Sequence, residues 1–142
     1  VERTERCQAA IEHARKSSRK LGQTHIHCSH FVLGLLSLEG GPARYTLFDA
    51  GLTPARVEEF ITSRKEDFEK VTEVQGALFG KSALDILKLA EDEATRFHSV
   101  VLDAEHVLLA LLSQKKGEAA DLFSRSKVKR DKIADLLSLQ LR

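Results

Sequence analysis

The chain repeats itself, and that constrains its fold more than any other feature. Setting His30 against His106, 76 positions later, lays Ser29-His30-Phe31-Val32-Leu33-Gly34-Leu35-Leu36-Ser37 over Glu105-His106-Val107-Leu108-Leu109-Ala110-Leu111-Leu112-Ser113. The register holds without a gap. Ala14 meets Ala90, Ile26 meets Leu102, Gly41 meets Gly117, Leu52 meets Val128 and Val57 meets Ile133. Apolar positions coincide while polar ones differ, as expected of two copies that keep a core and let the surface drift.

Each copy reads as four helices, so the expected fold is all-α: two tandem four-helix repeats packed about a pseudo-twofold axis. Repeat 1 spans about residues 4–63, repeat 2 about 80–139, and 64–79 reads as a linker within a single domain covering 1–142. The first helix of copy one places Cys7, Ala10, Ile11, Ala14, Ser18 and Leu21 on one face; its twin, with Ser82 as the expected cap, uses Ala83, Ile86, Leu87, Ala90, Ala94 and Phe97. The second helices, Phe31 to Leu38 and Val107 to Leu112, are apolar almost all round and must be buried. Asp103 is a good N-cap, and Pro42 and Thr53-Pro54 mark later helix starts. A half this short has trouble covering such a helix alone, so the halves are expected to cover each other.

Composition excludes several function classes. Of 142 residues, 22 are Lys or Arg and 21 are Asp or Glu, leaving a net charge of +1. That balance argues against a generally basic nucleic-acid binder. Aromatic residues make up only 6%, which weakens base stacking. No apolar run approaches the roughly 20 residues that span a bilayer, so no membrane partner is expected. The opening residues lack a secretory signal, and the expected location is cytoplasmic. Two cysteines are too few for a disulfide scaffold. No phosphate-binding loop is present, so the chain is expected to be no enzyme and to need no cofactor.

The repeat resembles the N-terminal domain of the Clp AAA+ unfoldases, the ClpC, ClpA and ClpB group. The likeness rests on Thr4-Glu5-Arg6-Cys7, Leu21-Gly22-Gln23, Ile26-His27-Cys28-Ser29-His30-Phe31-Val32-Leu33-Gly34-Leu35-Leu36, Glu39-Gly40-Gly41 and Asp49-Ala50-Gly51-Leu52 in copy one. Copy two supplies Phe79-Gly80, Leu102 and Glu105-His106-Val107-Leu108-Leu109-Ala110-Leu111-Leu112. The resemblance implies a non-catalytic module that captures protein substrates or adaptor proteins for an AAA+ ring of the same or another chain. The alternatives are a stand-alone regulator of a Clp protease, or a helical DNA-binding domain using the basic cluster Arg125, Lys127, Lys129, Arg130 and Lys132. Some ClpC-type domains bind phosphoarginine through the Thr that opens each repeat and the Glu before the His. Here copy one keeps Thr4 but has Ser29 for the Glu, and copy two keeps Glu105 but has Gly80 for the Thr. Each copy retains half of the set, which predicts weak phosphoarginine binding.

The candidate protein-binding residues are therefore Thr4 and Glu105, with Leu78, Phe79 and Leu84 as an exposed apolar surface at the junction of the copies. His25, His27, Cys28 and His30 invite a metal site or, beyond it, a metal hydrolase. Their twins are Val101, Asp103, Ala104 and His106, so only His30 has a counterpart. On that ground no metal ligands are assigned. The paired His30 and His106 are expected to be structural, and His25 and His27 exposed. Cys7, matched by Ala83, reads as a small buried thiol.

Overall fold

The computed structural model describes residues 1–142 and follows the repeat. Copy one runs from a two-residue strand β1 (Glu2–Arg3) through helices α1 (Glu5–Lys20), α2 (Cys28–Leu36), α3 (Pro42–Asp49) and α4 (Pro54–Ser63). Two strands follow, β2 (Val71–Val74) and β3 (Ala77–Gly80). Copy two is α5 (Lys81–Arg96), a short β4 (Val101–Leu102), α6 (Ala104–Leu112), α7 (Glu118–Arg125) and α8 (Arg130–Leu141). The architecture is the all-α double four-helix repeat that the sequence predicts.

Helices α2 and α6 form the centre, and every residue of both is buried. Helix α1 lies along α2, α5 lies along α6, and α2 and α6 meet across the pseudo-twofold. One core of 35 residues results, with Phe31, Leu35, Leu47, Leu52, Ile86, Leu108, Leu111 and Phe123 among its fully enclosed members. Gly34 allows the closest approach within copy one. A Cβ there would stand 2.0 Å from the Ala10 carbonyl oxygen on α1. Its twin, Ala110, carries that Cβ without conflict in the fully buried middle of α6.

The copies are joined by backbone as well as by side chains. β1 pairs in parallel with β4, Arg3 opposite Leu102, and Phe79 on β3 pairs in parallel with Ile26. Thus Thr4 N–H donates to the Leu102 carbonyl at 3.0 Å, and Gly80 N–H to the Ile26 carbonyl at 3.0 Å. The 76-residue offset maps one pairing onto the other. Each copy's approach to its first helix is therefore held by the other copy's connection before the second helix.

The caps follow the sequence at the starts of α3, α4 and α6, and Thr4, not singled out there, caps α1. Thr4 accepts from Cys7 N–H, Thr53 from Arg56 N–H and Asp103 from Ala104 N–H, and Pro42 and Pro54 open their helices. Ser82 does not cap α5. Gly80 holds that position, and Ser82 N–H donates at 2.8 Å to the Glu69 carboxylate. The chain arrives on a strand already bonded to Ile26, and a remote carboxylate supplies the acceptor that a capping hydroxyl would have given.

The expected linker, 64–79, is also more structured than its charge pattern implies. Residues 71–80 form an antiparallel hairpin, Val71 opposite Gly80 and Val74 opposite Ala77, turning through Gln75 and Gly76 at φ 50° and 82°. Two residues with positive φ are what a tight hairpin turn demands. Strand alternation puts Leu78 on the outer face, 47% exposed, and turns Phe79 inward, where it is 4% exposed. Phe79 is thus a core residue and not the exposed contact the sequence suggested. Leu84 is partly buried against the core.

Two substitutions separate the helix contacts. Gly34→Ala is expected to lose about 1–3 kcal/mol through overpacking against Ala10, whereas Ala110→Gly should lose only about 0.5–1 kcal/mol. Leu35→Ala and Leu111→Ala should each cost roughly 2–5 kcal/mol. Urea unfolding at constant m-value measures all four.

Candidate functional site

The crossed strand pairings bring the start of each copy's first helix against the start of the other copy's second helix. Two pseudo-equivalent corners result. Each is built from the residue just before the first helix, the cap of a buried helix and the residue two beyond that cap.

Corner one joins α1 to α6. Thr4 Oγ1 donates to Asp103 Oδ1 at 2.8 Å while accepting from Cys7 N–H at 3.1 Å. Glu105 is 3% exposed. Its carboxylate takes the Arg6 guanidinium at 3.0 Å and the Ala43 N–H at 3.4 Å, and Arg6 also reaches the Gly40 carbonyl at 3.4 Å. Gly41, at φ 100°, has no Cβ because one would lie 2.1 Å from Arg6 Nη2. The structure therefore does unite Thr4 and Glu105, residues of different copies, and adds Arg6, which the sequence reading passed over. An open cleft lies beside them, lined by Glu5, Arg6, Ala9, Leu38, Glu39 and Gly41.

Corner two joins α5 to α2 and has a different chemistry. The offset carries Thr4 to Gly80, Asp103 to His27 and Glu105 to Ser29. A Cβ on Gly80 would sit 2.2 Å from Glu69 Oε2 and 2.7 Å from His25 Cδ2. His25 and His27 are buried, 4% and 2% exposed, contrary to the expectation that they face solvent. The segment after α4 folds over them, setting Glu66 Oε2 2.6 Å from His27 Nε2 and Glu69 Oε2 2.9 Å from His25 Nε2. Glu118, first residue of α7, accepts from Ser29 N–H at 3.0 Å. These three glutamates escaped sequence reasoning because they lie 39 to 89 residues from their partners and none continues the His spacing. Burial opposes charge on Glu66 and Glu69, but hydrogen bonds from His27, Thr24, Ser82 and His25 hold both carboxyls below their ordinary value.

His30 and His106 hold equivalent places, as the repeat predicts. His30 Nδ1 accepts from His27 N–H at 2.8 Å and His106 Nδ1 from Asp103 N–H at 3.0 Å, so each imidazole closes the first turn of its buried helix. Burial pushes both below the ordinary 6.5, His30 to about 3, with the neighbouring His27 adding to the effect. Burial likewise pushes the Cys7 thiol up to about 11 and Cys28 to about 12, so both are protonated and unreactive at neutral pH.

The basic cluster meets two different surroundings. The Arg125 guanidinium lies 5.5 Å from the Phe60 ring centroid on α4, whereas Lys127, Lys129 and Lys132 edge a cleft with Val128, Ile133 and Leu136 between α3 and α8. No helix is long and apolar enough to cross a membrane.

A duplicated helical repeat with crossed strand pairings defines the fold, and sequence comparison assigns its family. The family model described as the Clp repeat N-terminal domain matches residues 2–126 and again 78–142. The chain belongs to this family. It is 31% identical over 126 residues to the ATP-dependent Clp protease ATP-binding subunit ClpC of Staphylococcus saprophyticus, covering 85% of this chain and 14% of that protein. The Staphylococcus epidermidis ClpC is 30% identical over 126 residues, with 85% and 15% covered. The chain thus spans about one seventh of these relatives. Among solved structures, the N-terminal domain of ClpD from Arabidopsis thaliana superimposes with a TM-score of 0.82 at 20% identity, covering 99% of this chain and 94% of that one. The Hsp104 N-terminal domain from Candida albicans gives 0.73 at 16% identity, with 96% and 89% covered.

The two neutral imidazoles predict an acid-sensitive fold. A histidine held below its free value binds its proton more readily in the unfolded chain. Its contribution is complete above about pH 6.5 and is lost as pH falls from there towards about 3. Stability measured by urea unfolding should decline from about pH 7 to about pH 5, before the glutamates titrate. His106→Asn, which keeps an acceptor for Asp103 N–H, should flatten that slope.

Proposed function

We propose that this domain is a non-catalytic recognition module that captures protein substrates or adaptors for a Clp-type ATP-dependent unfoldase. Family membership supports the assignment to such machines, and the ClpC relatives are named as ATP-binding subunits of a Clp protease. The observation that carries the reading is the hairpin at the junction of the copies. Its outer face offers Val71 at 40% and Leu78 at 47% exposure, and its tip offers Val74 at 39%. Behind it runs a narrow cleft lined by Ile11, Val74, Ala77, Leu84 and Leu87, with Arg3 and Arg15 at its edge. Apolar side chains presented on a strand, with a groove beside them, suit an extended or unfolded segment.

Leu78→Glu with Val74→Glu should weaken binding of a permanently unfolded reporter protein by at least about tenfold, roughly 1.4 kcal/mol. Fluorescence anisotropy measures the binding, and thermal melting should be unchanged because both residues are exposed. Full capture by a normally folded double variant would move the surface off the hairpin.

Phosphoarginine is a poor ligand for either corner in this reading. Glu105, the carboxylate in the place the resemblance assigns to guanidinium binding, already holds Arg6 at 3.0 Å. Corner two has Ser29 in the equivalent place and no room for a side chain on Gly80. Titration calorimetry should find free phosphoarginine bound no more tightly than about 1 mM, near −4 kcal/mol. Low-micromolar binding by the native chain would overturn this. Arg6→Ala, which frees Glu105, is the variant expected to gain affinity.

A further inference from the structure

In their neutral forms His25 and His27 each turn a nitrogen lone pair toward carboxylate oxygens. Thr24 has a single hydroxyl proton, and it goes to Glu66 Oε1 at 2.9 Å. Its oxygen therefore accepts from His25 Nδ1–H at 2.7 Å. A neutral His25 is then bare at Nε2, which lies 2.9 Å from Glu69 Oε2. His27 repeats the arrangement. Its Nε2 must carry the proton that meets Glu66 Oε2 at 2.6 Å. That leaves Nδ1 bare, 3.6 Å from both Glu69 Oε2 and Glu118 Oε1. Acceptors that converge in this way repel unless a cation lies among them.

We propose that His25 Nε2, His27 Nδ1 and Glu69 Oε2 bind one zinc ion, with Glu118 Oε1 beside them, 3.6 Å from His27 Nδ1. The donor atoms of His25, His27 and Glu69 lie within 4.8 Å of one another. Tetrahedral zinc with bonds of about 2.0–2.2 Å sets its ligand atoms roughly 3.3–3.5 Å apart. The separations of 2.9 Å and 3.6 Å here bracket that value. Imidazole with carboxylate is a zinc donor set, whereas magnesium and calcium favour oxygen alone. Charge agrees as well. Glu66, Glu69 and Glu118 gather round the two imidazoles, and Arg64, whose Nε is 3.6 Å from Glu118 Oε1, is shared with Asp67 and Asp121.

The surroundings orient every ligand. Thr24 fixes His25 and Glu66 fixes His27 through their outer nitrogens, while backbone N–H groups of Ser82 and Ser29 hold the second oxygens of Glu69 and Glu118 at 2.8 Å and 3.0 Å. Such outer partners commonly set metal affinity. Gly80 takes part by absence, because any side chain there would collide with Glu69 and His25. The imidazoles are 3–4% exposed, Glu69 12% and the adjacent Glu118 9%, so the site is closed and structural. Its ligands come from the connection before α2 and the segment between the copies, with the start of α7 beside them. One ion would thus tie copy one to the segment that leads into the hairpin.

Protein stripped with a chelator and dialysed is titrated with zinc chloride by calorimetry, and with cobalt chloride by visible absorption. One zinc per chain is expected, with Kd below about 1 µM, together with the intense d–d bands of tetrahedral cobalt. Glu69→Gln and His25→Asn should each weaken zinc at least tenfold, while His13→Gln and His98→Gln leave it unchanged. Should a ligand variant fail to fold by circular dichroism, Glu66→Gln tests the same site, since loss of an outer partner typically costs about 10–100-fold. Absence of stoichiometric zinc would overturn the proposal and assign the space to protons on the two imidazoles. Zinc binding that survives Glu69→Gln, His25→Asn and Glu66→Gln would overturn it equally.

Discussion

Two helices without a polar face dictate the rest of the molecule. Neither α2 nor α6 can be solvated along any stripe, and within one copy α1 or α5 packs along its length while the two later helices touch the rest. Bringing the two together buries what each copy leaves open, at about 25 cal/mol per Å² of apolar surface removed from water. The crossed strand pairings then follow. With α2 and α6 in contact, the chain before each outer helix passes the connection of the other copy, and its unpaired N–H and C=O groups bond there.

The same crossing turns a duplicated sequence into two unlike corners. Corner one joins Thr4 of the first copy to Asp103 and Glu105 of the second, and closes itself with Arg6. In corner two a glycine and a serine replace the threonine and the glutamate. The cavity so opened is filled by His25 and His27 from below and by Glu66 and Glu69 from above. The repeat therefore preserves backbone geometry while its corners diverge, one into an internal ion pair and the other into a His–Glu cluster. The segment between the copies does two things at once. Its first half covers that cluster, and its second half pairs into the hairpin whose inner face supplies Phe79 to the core and whose outer face presents Leu78.

Much of this was legible in the sequence. The 76-residue offset gave the duplication, helical spacing gave the faces of α1 and α5, and Pro42, Thr53, Pro54 and Asp103 marked helix starts, because caps and periodicity are local properties. The offset also predicted that His30 and His106 would occupy equivalent places. Three local readings failed where a distant residue intervened. Ser82 was displaced as a cap by Glu69, Phe79 was turned inward by strand alternation, and His25 and His27 were enclosed by glutamates some 40 residues on. Comparing the repeats argued against a metal because His25 and His27 have no twins. That comparison does not see Glu66 and Glu69, which lie in the segment outside the repeat.

By itself, then, the sequence determined what short-range periodicity and self-similarity can encode: eight helices, two copies, a buried pair at the centre and the family to which they belong. The tertiary structure alone decided which side chains meet. Thr4 reaches Asp103 across 99 residues and Ser29 reaches Glu118 across 89. Such contacts depend on how the two copies cross, and the crossing is set by burial of the whole apolar surface rather than by any residue's neighbours in the chain.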